Sequence, residues 1–323
     1  MGQGLCLKPR LCASAGRMTK KPFIIGTRGS PLALAQARLV AAALAEAHGW
    51  GEERIRIAPI RTSGDRIQDR PLADIGGKTL WTKELDLALL TGETDCSVHS
   101  MKDVESERPP ELIIAGMLPR ADVRDRLIGA AAITELGHGA IVGTSSPRRS
   151  AQLKRLRPDL RIVPIRGNVD TRLGKCAAGE VDATLLAAAG LDRLGRREVG
   201  TAIEVGQMLP APAQGAVGIE CRTGDATTAK LLAAIDHHTT HAAVAAERAF
   251  TRALGGTCHS PVAALAILEG GSIRFAAQLL SEDGGDELQE QVRFALGDAE
   301  APTLFGRAML ARAPKSIRRL FEP

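Results

Sequence analysis

The 323-residue chain has no tyrosine, only two tryptophans and six phenylalanines. Recognition of single-stranded nucleic acid relies on aromatic platforms, so nucleic acid is not expected as a partner, and the core must be built from aliphatic side chains. No run approaches the roughly 18–20 apolar residues that cross a bilayer, so no membrane partner is expected either. The six cysteines stand at 6, 12, 96, 176, 221 and 258. They form no CxxC pair and no His/Cys spacing that resembles a zinc site, so no metal is expected. Scattered free thiols point instead to a reducing compartment, the cytoplasm. Residues 1–21 hold neither an acid nor the apolar segment of a secretory signal, and are read as a disordered extension, with Met18 an alternative start.

What is present is ordinary in bulk and informative in order. Hydrophobic residues make up 44% and charged residues 24% of the chain, as in globular proteins, and the length suits two or three domains. A net charge of +5 with many arginines suits small anionic ligands. The sequence also repeats itself. FIIGTRGSPLALAQARL (23–39) and IVGTSSPRRSAQLKRL (141–156) both run from a short β-rich segment through Gly-Thr and a polar turn into Ser-Pro and an amphipathic stretch. Serine before proline starts a helix, with serine as N-cap and proline in the first turn. RIAPIR (56–61) echoes RIVPIR (161–166), and both read as buried strands. GETDCSVHS (92–100) echoes GEVDATLLA (179–187), each closing a helix and opening a strand.

Three echoes in the same order imply two α/β domains of like topology, the first longer by an insertion around 64–78. The segments 108–125 and 208–222 read as crossings between them. The tail reads as a smaller α+β domain, with a long helix over 237–256, two strands (AALAIL and SIRFAAQLL) and a helix near 299–313. The expected boundaries are 22–117 with 213–235 for domain 1, 118–212 for domain 2 and 236–323 for domain 3.

In such sheets ligands bind at the carboxyl ends of strands and on helix N-termini. Arg28, Arg148, Arg149, Arg166, Arg172 and Arg193 all fall there. Singly each is a solvated charge; together they form a candidate anion site, because the guanidinium fork takes a carboxylate through two bonds. Asp103, beside Lys102 at the end of VHSMKDV (98–104), is either a turn residue or a proton-transfer group. His99 reads as a packed strand histidine. GGKTLWTKELD (76–86), with Lys78 and Lys83, is either a lid over an anion or a plain helix start. Cys258, in GGTCHSPVAA (255–264), lacks the further ligands zinc needs, and its adjacent His259 is poorly placed to act as a hydrolase base. A reactive thiol with another purpose remains open.

GTRGSPLALAQA, VHSMKDV, GTSSPRR, RGNVDTRL, LPAPAQGAVGIECR and the Cys258 loop, in this order, closely resemble the porphobilinogen deaminase (hydroxymethylbilane synthase) family. The resemblance covers about residues 22–323. It implies a monomeric cytoplasmic enzyme with two duplicated α/β domains resembling type II periplasmic binding proteins and a smaller α+β C-terminal domain. It also implies a transferase of tetrapyrrole biosynthesis that joins four porphobilinogens head to tail, releases ammonia and gives hydroxymethylbilane.

The implied cofactor is a dipyrromethane, bound by a thioether to Cys258. Asp103 is implied as the catalytic acid. Lys102, Asp103, Thr144, Ser145, Ser146, Arg148 and Arg149 match cofactor positions. Arg28, Ser30, Arg166, Arg172 and Arg193 match positions for substrate and chain carboxylates, and Lys78, Trp81 and Lys83 belong to the lid. Thr257 stands where the family often has glycine, Thr79 and Trp81 where glycine and phenylalanine are common, Asp74 where some members have lysine, and Pro147 where leucine is frequent. The alternative is a non-catalytic two-lobed anion-binding protein, which would need neither Asp103 nor Cys258.

Overall fold

A computed structural model of the chain describes residues 21–62, 79–255 and 260–321. The expected insertion around 64–78, Lys78 and the cofactor loop with Thr257, Cys258 and His259 lie outside those residues, as does nearly all of the N-terminal extension.

The first sheet begins with β1 (Phe23–Arg28), which delivers the chain into α1 (Pro31–His48). Ser30 caps that helix, its hydroxyl accepting from the Ala33 N–H, and Gly49 closes it in the left-handed conformation. β2 (Ile55–Ile60), α2 (Thr79–Leu90), β3 (Cys96–Ser100) and β4 (Leu112–Met117) follow. The chain then crosses to a second sheet. There β5 (Asp125–Ile128), β6 (Ile141–Gly143), α3 (Pro147–Leu156), β7 (Arg161–Val163), α4 (Val169–Ala177), β8 (Ala183–Ala187), α5 (Ala188–Arg193) and β9 (Thr201–Ala202) occur in turn. It returns through 203–216 to β10 (Val217–Arg222) and α6 (Ala226–Ala233) in the first unit.

Strand order is β2-β1-β3-β10-β4 in one sheet and β7-β6-β8-β5-β9 in the other. In each, the second strand pairs in parallel with its neighbours on both sides, and the fourth is antiparallel to its own. That odd strand is in both cases the one arriving from the other unit: β5 follows the outward crossing and β10 the return. The duplication read from the echoes is therefore a duplication of topology, with two connections joining the units. One expectation changes. β2 and β7 are not buried strands; both are outermost in their sheets and half exposed. An edge is also where Pro59 is tolerated, since a proline cannot donate to a ladder on both sides.

The third unit packs α7 (His238–Leu254) and α8 (Ala301–Arg312) on an antiparallel sheet of β11 (Val262–Glu269), β12 (Ser272–Leu280) and β13 (Glu287–Ala295), with the short α9 (Lys315–Arg318) behind them. β13 was not anticipated, because it is an edge strand with an exposed face and few apolar residues. The core is aliphatic, as the composition demands: Ile25, Val40, Leu44, Val98 and Ile219 in the first unit, Leu127, Val142, Leu153 and Leu185 in the second. The few phenylalanines concentrate in the third, where Phe250, Phe275, Phe294 and Phe305 touch ring to ring. Burying one such side chain contributes about 1.5–3 kcal/mol.

One buried carboxylate ties the three units together. Glu247 on α7 takes two bonds from the Arg120 guanidinium on the outward crossing, at 2.7 and 3.0 Å. It also accepts from the Ala213 N–H on the return crossing (2.5 Å) and the Ala266 N–H in β11 (2.7 Å). Ala213 holds φ +61°, the only positive φ outside glycine among the described residues.

Candidate functional site

β3 ends in one 3-10 turn, Met101–Asp103. Met101 is buried, with Gly218 of the neighbouring strand leaving it room: a Cβ at Gly218 would lie 2.1 Å from the Met101 sulfur. Anchoring that side chain leaves Lys102 and Asp103 at the carboxyl edge of the sheet. They face the matching edge of the second unit across a cavity of about 280 Å³. Lys102, Asp103 and Val104 line it from the first unit, Ser145, Ser146, Arg148, Arg149 and Arg172 from the second, Ala213 and Gln214 from the return crossing, and Arg248, Thr251 and Ser260 from the third. Its volume is near the lower end of the roughly 300–1,000 Å³ typical of small-molecule clefts. Asp103 also lines a second, smaller cavity of about 60 Å³ with Arg28, Ser30, Gln36, His99 and Ser100. It is thus common to both cavities.

The second unit presents its arginines through local sequence. Ser146 caps α3, accepting from the Arg149 N–H, and Thr144 Oγ1 accepts from the Ser146 N–H. The Ser145 hydroxyl is held between the N–H and the C=O of Ile165. Arg148 and Arg149 are both buried and both grip Asp125: Arg148 Nη2 donates to Oδ2 at 2.8 Å and Arg149 Nη2 to Oδ1 at 2.6 Å. Burial opposes ionisation of Asp125, but the two guanidiniums more than offset it and hold its carboxyl well below the ordinary range. Asp125 itself escaped the sequence reading. It lies in the stretch taken as a crossing, and only antiparallel insertion of β5 brings it under α3.

Arg172 stands on α4, whose N-cap Asn168 accepts from the Thr171 N–H. Gly167 precedes it at φ +111°, where any Cβ would fall 2.5 Å from Thr171. Arg172 Nε donates to the Gly167 carbonyl. Burial and the neighbouring Arg149 pull its pKa down to about 10, while Asp103 from the other unit pulls it up. Lys102 feels the same cluster: burial lowers it to about 8, with Asp103 raising it and Arg149 lowering it. Charges of the two units therefore interact directly across the cavity.

Not every expected residue lines a cavity. Arg193 Nη2 donates to the Gly215 carbonyl on the return crossing (2.7 Å) and borders neither. Arg166 borders neither, though its buried Nη1 has no partner among the described residues. Of the lid residues, Lys83 is exposed on α2 and Trp81 falls within α2. His99 Nε2 donates to Glu220 Oε2 at 3.0 Å, deep between β3 and β10, and Arg108 grips the same carboxylate. Burial works against that carboxyl, but His99 and Arg108 bring it down to about 2.

Besides Asp125, several residues that line the cavity fall outside the sequence expectation, Arg248 and Gln214 among them. Arg248 on α7 donates to the Val104 and Glu105 carbonyls, bracing the turn that holds Asp103. Gln214 belongs to the return crossing. Gln214 lies in the LPAPAQGAVGIECR motif with no role assigned to it there, and Arg248 lies in none; their place follows from the packing of the third unit and the path of a connection.

The cavity holds unmet donors. Arg148 Nε and Arg149 Nε are buried with no acceptor among the described residues, like Arg166 Nη1. Each such group costs about 1–3 kcal/mol unless a ligand answers it. A ligand with several carboxylates, such as a dipyrromethane, fits that donor set.

Two α/β lobes joined by two crossings, with a buried arginine cluster and an aspartate lining one cavity, define a class: two-lobed proteins with cations and an acid set around a shared cavity. Comparison with known sequences narrows the class. Residues 23–230 match the family model described as "Porphobilinogen deaminase, dipyromethane cofactor binding domain", and residues 241–309 match "Porphobilinogen deaminase, C-terminal domain". A porphobilinogen deaminase of Sphingopyxis alaskensis is 56% identical over 306 residues, 93% of this chain and 96% of that protein. One of Paracoccus denitrificans is 49% identical over 299 residues, 91% and 96% of the two. The chain belongs to the porphobilinogen deaminase family.

Among solved structures, the second substrate binding domain of a putative amino acid ABC transporter from Streptococcus pneumoniae is similar at 13% identity. It covers 66% of this chain and 90% of its own, with a TM-score of 0.41. A likeness of that size carries no argument about the ligand.

Proposed function

We propose that the chain is a hydroxymethylbilane synthase: it condenses four porphobilinogen molecules head to tail, releasing ammonia at each step, to give hydroxymethylbilane. One observation carries the reading beyond family membership. Asp103 is shared by the two cavities, and Lys102, Arg148, Arg149 and Arg172 converge on the larger from two units. Porphobilinogen and its oligomers bear two carboxylates per ring, and a cavity walled by cations on rigid elements binds such chains.

A dipyrromethane tethered through a thioether to Cys258 would supply the free pyrrole carbon to which the first unit is joined, each later unit adding to the ring before it. We assign its carboxylates to Lys102, Arg148 and Arg149, with Thr144, Ser145 and Ser146 around them. The unmet Nε–H groups of the two arginines support this assignment. Arg28 and Ser30, with Asp103 in the smaller cavity, are assigned to incoming substrate, and Arg166, Arg172 and Arg193 to the growing chain. The lid role of Lys78, Trp81 and Lys83 rests on the family pattern alone.

Asp103 carries the chemistry. As the aminomethyl C–N bond breaks and ammonia leaves, positive charge spreads into the pyrrole ring. A fixed carboxylate at the ring N–H stabilises that charge without reorganisation. When the new C–C bond has formed, the attacking ring must lose its α-proton, and the same carboxylate is in reach of both cavities to receive it. Lys102 and the arginines bind and orient carboxylates; none needs to exchange a proton.

No helix among the described residues is long and apolar enough to cross a membrane. A monomer in the cytoplasm suits this role. Asp103→Asn keeps shape and removes charge, so turnover should fall by several orders of magnitude while intact mass still shows the dipyrromethane. Near-normal turnover in that variant would remove Asp103 from the mechanism.

A further inference from the structure

We propose that Gln214 is a ligand-binding residue of the larger cavity, its side-chain oxygen accepting a hydrogen bond from a pyrrole ring N–H. The inference rests on the proposed function, and it adds to the anion-binding reading a point where the site recognises a donor.

Gln214 is fully buried, lines the cavity and sits on the return crossing. Its Nε2 lies 2.8 Å from the Val123 carbonyl and 2.9 Å from Asp125 Oδ1. A carbonyl and an ionised carboxylate only accept, so both amide hydrogens are committed to them. Turning the amide over would set its oxygen against two others, so the orientation is fixed by its neighbours. Oε1 is thereby directed away from them. It is buried and has no donor among the described residues. Every other unmet atom of this cluster, on Arg148, Arg149 and Arg166, is a donor.

A ligand of carboxylates alone would answer the arginines and leave Gln214 stranded. A pyrrole chain answers both, since each ring carries one N–H between its carboxylate arms. The two demands are also mechanically joined. The amide that would receive the ring N–H holds Asp125 with its other end, and Asp125 holds Arg148 and Arg149. A site with a buried acceptor discriminates strongly against analogues lacking the donor, by up to about 10⁴–10⁵ where the bond is well made. A furan or thiophene counterpart of the chain would be excluded on this ground.

The test uses Gln214→Met and Gln214→Glu, each purified with and without its dipyrromethane, loading being read by intact mass. Met matches the length of glutamine but has no strong acceptor, so both forms should unfold at lower temperature. The loaded form should lose more, narrowing the loaded-minus-unloaded gap in Tm. The new carboxyl of Gln214→Glu, protonated against Asp125, can donate to Asp125 and keep its other oxygen as acceptor, so it should preserve more of the gap. A gap in Gln214→Met equal to wild type, or narrowed equally in both variants, overturns the proposal and leaves Gln214 a strut for Asp125. Wild-type protein that never carries the dipyrromethane would instead defeat the functional reading beneath it.

Discussion

Asp125→Asn isolates what the buried cluster costs. The substitution preserves shape while removing the only carboxylate among the described residues that is hydrogen-bonded to Arg148 and Arg149. Both guanidiniums are buried, their side chains 4% and 6% exposed, and Asp125 is 1% exposed. Two cations would then face each other, with Lys102 near, in a place water hardly reaches. Removing one partner of a buried ion pair costs about 3–5 kcal/mol, largely from the charge left uncompensated. With about 2.1 cal/mol/K of unfolding entropy per residue, a chain of 323 residues loses about 1.5 °C of Tm per kcal/mol, so the drop should be roughly 4–8 °C.

Asp122→Asn is the control. Its Arg124 partner sits in a pair with both side chains a quarter to a third exposed, worth about 0–1 kcal/mol. The direction with pH follows from the lowered pKa of Asp125. Its contribution is complete above the unfolded value of about 3.9 and is lost as pH falls below it towards the folded value, so wild type and variant should converge in acid. The assay is thermal unfolding at neutral pH and down an acid series, with multivalent anions added in parallel. Anions should rescue the variant more than wild type. A Tm within 2 °C of wild type at neutral pH would refute the argument that this carboxylate neutralises the pair.

Two further residues, Lys102 and Ala213, give outcomes that the same geometry fixes. Lys102, lowered to about 8 by burial, should lose its charge as pH rises through that value before dipyrromethane carboxylates are in place, so the rate of dipyrromethane assembly on the unloaded protein should fall on the alkaline side. Lys102→Arg, which stays charged, should move that limb to higher pH; an unmoved limb would exclude Lys102 as its source. Ala213→Gly should relieve a left-handed alanine that costs about 1–2 kcal/mol, partly offset by the greater freedom of glycine in the unfolded chain, for a net gain of up to about 1 kcal/mol in denaturant unfolding. Ala213→Val should do the opposite, and stabilisation by valine would contradict the assigned backbone conformation.

Legibility from sequence followed the reach of the interactions. The helix starts at Ser30-Pro31 and Ser146-Pro147 were readable because capping is a contact across three residues, and both caps are formed. The duplication was readable because its echoes keep their order. Strand order is not a local property: RIAPIR and RIVPIR look like interior strands until the crossings insert β10 and β5 and leave β2 and β7 at the rims. Asp125 shows the same limit. Its partners lie 23, 24 and 89 residues away, and nothing near it in the chain distinguishes it from Asp122. Arg148 and Arg149 were recognisable as cations at a helix start, but their burial and their shared carboxylate were not. Arg193 followed the pattern of the others, and its bond to the crossing at Gly215 was not readable.

The proposal to test first is that Cys258 tethers a dipyrromethane. Intact mass of the purified protein addresses it directly. The expected result is an excess over the sequence mass equal to one dipyrromethane, absent from Cys258→Ala. Active protein of unmodified mass, or an excess that survives in Cys258→Ala, would contradict the account.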